Sequence, residues 1–158
     1  MGTFAGAGWI TGDTIPASEL NTLSGAWDTY TPSVGGTGFA LGNGTISGRW
    51  KKVGRVVTFI INVTWGSTST YGAGPLTLTL PTAAQSSGAV FGARYLDVGS
   101  VVGYPGFALS VSGSTTITPL CHVASATYAT DGGLTSTIPF TWANTDTIVV
   151  SGTYESSS

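Results

Sequence analysis

The side chains able to do chemistry are few and widely spaced. His122, the sole histidine, stands beside Cys121, the sole cysteine, in Leu120-Cys121-His122-Val123. A thiol next to an imidazole invites a nucleophile and base assignment. Adjacent residues of an extended segment point to opposite faces, however, so this spacing predicts one inward thiol and one outward imidazole. The carboxylates are Asp13, Glu19, Asp28, Asp97, Asp131, Asp146 and Glu155. A glycoside hydrolase needs two of them facing across a cleft, and Asp97 with Asp131 is a pair the sequence leaves open. Asp131-Gly132-Gly133 and Asn144-Thr145-Asp146 also read as ordinary turn chemistry. The expectation is a protein that is not an enzyme and uses no cofactor. A single cysteine allows neither an intramolecular disulfide nor a thiolate metal site, and no metal ligands are assigned.

Binding chemistry is better represented. Aromatic rings beside polar loops can stack on sugars, and the candidates are Tyr71 in Thr68-Ser69-Thr70-Tyr71-Gly72, Tyr104 in Val102-Gly103-Tyr104-Pro105-Gly106, and Trp142. Arg49, Lys51, Lys52 and Arg55 hold four of the five basic residues within seven positions. They read as the solvated tip of a hairpin or as a contact with an acidic partner, an anionic glycan or a neighbouring subunit. A net charge of −2 excludes nucleic acid as a leading partner, since phosphate capture needs a clear excess of Lys and Arg. No apolar run is long enough for a membrane span, and the first residues lack a basic region followed by an apolar core. Membrane insertion is therefore not expected.

The elements that must position these residues follow from periodicity. Val57, Phe59, Ile61, Val63 and Trp65 alternate with Val56, Thr58, Ile60, Asn62 and Thr64, a two-residue period that predicts a strand with one fully buried face. Ile46 to Val53 precedes it, and Gly54 supplies the reversal, so the two runs form a hairpin. Leu76, Leu78 and Leu80 alternate with threonines up to Pro81. Further strands are expected at Val90 to Val98, Phe107 to Ser112, Leu120 to Tyr128, Ile138 to Trp142 and Thr147 to Tyr154. Pro16 at a first helical position, Glu19 in the first turn and Gly25 after the last turn predict a short helix. The tail from Glu155 to Ser158 reads as a loose end.

Together these signals predict an all-β fold, an antiparallel β-sandwich of jelly-roll type with a short N-terminal helix and an extended anchoring arm. The division is residues 1–28 for arm and helix and 29–158 for the β domain. Phe4, Trp9, Ile15, Leu20, Leu23 and Trp27 are the arm's candidate contacts for anchoring and oligomerisation. Charged residues are 8% of the chain, against roughly 25% in an average soluble domain. Gly, Thr and Ser supply 24, 26 and 18 of the 158 residues, so the surface is mostly hydroxyl and backbone. Few charges guard the strand edges of such a surface, and association with other subunits is the expectation.

Two stretches carry a resemblance. Gly8-Trp9-Ile10-Thr11-Gly12-Asp13-Thr14-Ile15-Pro16-Ala17-Ser18-Glu19-Leu20-Asn21 is similar to the start of many small virion proteins of tailed bacteriophages. Trp27-Asp28-Thr29-Tyr30-Thr31-Pro32, with the run from Leu41 to Val57, Thr64-Trp65-Gly66-Ser67 and Leu78-Thr79-Leu80-Pro81, resembles the β domain of tail-fibre and minor tail proteins, especially from phages of actinobacteria. The resemblance spans about half the chain and transfers no catalytic residue. It implies a virion component on the particle exterior, commonly a homotrimer, attached to other virion proteins by its N-terminal arm. A tail-tip or fibre module adhering to host-surface glycans is the first reading, and a capsid decoration or head-fibre protein the second.

Overall fold

The computed structural model describes residues 14, 16–18, 27–124 and 129–158. Within them the fold is all-β. Its strands are β1 (Asp28–Tyr30), β2 (Val34–Gly35), β3 (Thr45–Val53), β4 (Val56–Thr64), β5 (Thr77–Thr79), β6 (Val90–Asp97), β7 (Val102–Ser110), β8 (Thr116–Ala124), β9 (Ala129–Gly133) and β10 (Thr147–Glu155). The pairings are antiparallel and run β1-β3-β4-β10-β6-β7-β8-β5-β2, with β9 added to β8. This is one connected sheet curled into a half-barrel, where the sequence predicted two packed sheets.

Connectivity explains the curl. β1 and β2 lie at opposite ends of the strand order, yet only residues 31–33 separate them. With consecutive Cα atoms about 3.8 Å apart, the two ends of the sheet lie within roughly 15 Å of each other. The Tyr30 hydroxyl reaches across and donates to the Thr79 carbonyl at 3.3 Å, while the Ser33 amide donates to Thr79 Oγ1 at 2.8 Å.

The expected alternation sorts the core. Val57, Phe59, Ile61, Val63 and Trp65 are all buried, and so are Leu76, Leu78 and Leu80. The inner face is completed by Phe91 and Tyr95 from β6, Ile117 and Cys121 from β8, and Ile148, Val150 and Tyr154 from β10. Phe59, Phe91 and Tyr154 meet edge to face at 5.0 to 5.9 Å, a geometry that adds to plain area burial. The β3–β4 hairpin forms as expected, with Val53 opposite Val56 and Gly54 at φ 59° in the left-handed region.

Four expectations are corrected. The N-terminal helix is not seen as an element: Ala17 and Ser18 are helical, and most of that segment lies outside the described residues. Ile138 to Trp142 is not a strand, because Pro139 has no amide to offer a ladder and the Trp142 indole instead donates to the Ile138 carbonyl at 3.2 Å. Asp131-Gly132-Gly133 is part of β9 rather than a turn, its residues paired with His122, Cys121 and Leu120. The last residues are not loose. The Ser156 amide donates to the Arg55 carbonyl at 2.7 Å, the Ser157 amide donates to the Ala83 carbonyl at 2.9 Å, and Ser156 is fully buried.

Candidate functional site

The three aromatic candidates fall into one cluster at the end of the half-barrel where β4 runs out. Trp65 is its hub, edge to face with Tyr71 at 5.4 Å and with Trp142 at 6.1 Å. Trp142 continues to Phe140 at 4.4 Å, and Phe140 stacks on Tyr104 at 5.0 Å. Trp142 is only 4% exposed and spends its indole N–H on Ile138, so it has no face left for a sugar. Tyr104 lies within β7 rather than in a loop, with Pro105 after it still in register with Arg94 of β6. Tyr71 is in a loop as expected, and burial followed by the nearby Asp146 carboxylate pushes its phenol above the ordinary value. The cluster is a packing device that closes the barrel end, and Tyr71 and Tyr104 are its half-buried margins.

Asp146 fastens the same end. Its carboxylate is 1% exposed and accepts from the Val98 amide at 2.9 Å and the Ala143 amide at 2.7 Å. Its backbone carbonyl also accepts from the Trp65 amide at 2.9 Å. A turn residue by sequence, it ties β6 and the loop before β10 to the aromatic hub.

Cys121 and His122 separate as the strand period requires. Cys121 is buried and its thiol pushed up by that burial, whereas His122 is exposed, 3.6 Å from Asp131 and against the Phe107 ring. Asp97 is the last residue of β6, its carboxyl held below the ordinary value chiefly by the Ser100 amide at 3.0 Å. Among the described residues no three His, Cys, Asp or Glu side chains converge as metal ligands.

The basic cluster splits in two. Arg55 is committed to the terminal segment: its Nε lies 3.1 Å from the Ser156 carbonyl and 3.3 Å from Glu155, and its other arm reaches Gln85. Lys52 Nζ donates to the Ser158 carbonyl. Arg49 and Lys51 project from the opposite, outer face of β3, opposite Ile60 and Thr58 of β4. The guanidinium carbon of Arg49 lies 5.7 Å from the centroid of the Trp27 ring, a cation–π contact. Beside them runs a groove of about 540 Å³ on the outer face of β3, β4 and β10. Trp27, expected in the arm, is thus placed on the sheet, while Phe4, Trp9, Ile15, Leu20 and Leu23 lie outside the described residues. Thr58, Ser151 and Thr153 on the groove were not singled out by sequence; in so hydroxyl-rich a chain only their shared outward phase on neighbouring strands marks them.

Comparison with protein-family models, curated proteins and solved structures returns no match.

Proposed function

We propose that the protein is a non-enzymatic structural component of a tailed-phage virion, most simply a trimeric tail-tip or tail-fibre module that adheres to host-surface glycans. The reading joins the sequence resemblance to an all-β domain built on one antiparallel sheet curled into a half-barrel. The observation that carries it is the surface. Val53, Val56, Val90 and Val111 are all at least 38% exposed; strand register places the first three toward the same end of the outer face, and Val111 follows β7 two residues after Leu109, the partner of Val90. In a chain with so few charges, exposed valines along strand ends are a surface that association would cover. The N-terminal segment supplies attachment to other virion proteins, and the β domain faces outward.

Electron microscopy of phage particles with a labelled antibody against the β domain tests this. Label at the tail tip is the expected result. Label spread over the capsid favours the second reading, a decoration or head-fibre protein, which the same valine-bearing surface would serve. Particles without label overturn both.

A further inference from the structure

We propose that the groove beside Trp27 binds a saccharide whose pyranose ring carries a carboxylate. This rests on the adhesion reading above and names the ligand class and the residues. Trp27 is 39% exposed, leaving part of its indole open for a sugar face. The floor and far wall are Thr58, Ile60, Ser151 and Thr153, a short apolar step flanked by hydroxyls. Thr58 and Thr153 already share a hydrogen bond at 3.1 Å, so the hydroxyls are held in place before a ligand arrives.

Charge selects an acid. Strand register puts Arg49, Lys51 and Arg94 on the outer face of β3, β4, β10 and β6. The carboxylate projecting from that face of these four strands is Glu155, two residues beyond Thr153 of the groove wall, and it is ion-paired with Arg55. With Glu155 taken by Arg55, Arg49 and Lys51 are left beside the groove without a salt bridge among the described residues. A guanidinium fork matches a carboxylate in plane and spacing. The Arg49 guanidinium carbon lies 5.7 Å from the indole centroid, so indole and fork meet one ligand together and the acid is placed on the sugar itself.

Isothermal titration of the full chain with oligogalacturonate and with hyaluronan oligosaccharides tests the site. Chito-oligosaccharide serves as the neutral probe and a glycerol-phosphate oligomer as the phosphate probe. At least one uronic acid probe should bind, more weakly as salt rises, and both Trp27→Ala and Arg49→Gln should raise its Kd by about tenfold or more. The neutral and phosphate probes should bind at least about tenfold more weakly than that probe. Circular dichroism of each variant should match the parent, since both side chains lie on the surface. Failure of both uronic acid probes, equal binding of a neutral or phosphate probe, or variants that bind like the parent would overturn the proposal. Labelled protein on host cells separates the two claims. Cells held equally well by parent and Trp27→Ala remove this site while adhesion stands. Binding of a uronic acid probe without any binding to host cells removes adhesion while the site stands.

Discussion

Two contacts at the scale of single residues decide whether the sheet can curl. Tyr30 of β1 lies across Gly48 of β3, where a Cβ would come within 2.2 Å of the ring, and its hydroxyl donates to Thr79 on the far end of the sheet. Any side chain at position 48 displaces the ring that bridges the two ends. Gly48→Ala should therefore cost about 1–3 kcal/mol, the range for forcing atoms into a filled space, as read by chemical denaturation. Tyr30→Phe, which keeps the ring and loses only the hydrogen bond, should cost about 1 kcal/mol; a larger loss than that of Gly48→Ala would contradict the packing argument. The phenols of Tyr30 and Tyr95 are both raised from an ordinary value of 10.0, first by burial and then by a neighbouring group, Tyr154 for Tyr30 and Cys121 for Tyr95. A group whose folded pKa is raised binds its proton more tightly when folded. Its stabilisation is complete below pH 10 and is lost as pH rises from there. Tyrosinate absorbance should thus lag behind free tyrosine and then rise together with the loss of near-ultraviolet dichroism. Independent titration of these tyrosines in a folded protein would show that they are not held as described.

At the scale of elements, the sequence revealed strands where one face is apolar and concealed them where composition imitates a turn. β4 and β10 alternate cleanly, and their inner residues are buried as expected. β9 carries Asp-Gly-Gly, a turn signal overridden because β8 offers it an open edge. Gly103, Pro105 and Gly106 around Tyr104 give it the sequence signature of a loop, yet it lies within β7. Proline is tolerated there because β8 pairs with β7 only from Gly106 onward, so Pro105 has a strand partner on one side alone. The groove was hidden for another reason: Trp27 and the hairpin read as separate features, and only strand pairing puts them together. Asp146 shows how a turn residue becomes an element-scale joint. Asp146→Ala strands the Val98 and Ala143 amides and should cost about 3 kcal/mol, the upper range for bonds to a charged acceptor, with a matching fall in Tm. Destabilisation below about 0.5 kcal/mol, the level of an ordinary surface change, would mean the joint carries no load.

The described residues form a curled sheet with a largely apolar interior, in which Asp146, Ser110 and Ser156 are the buried polar residues, and an exterior of hydroxyls, backbone and a few cations. Such a chain has little electrostatic defence against edge-to-edge pairing, and the exposed valines at its strand ends add apolar area to that surface. This is the ground for proposing specific assembly, which is also what the virion resemblance implies. Sedimentation equilibrium of the purified full chain tests this central claim most directly. The account predicts a single species at three times the chain mass. A monomer that persists across the concentration range would contradict it.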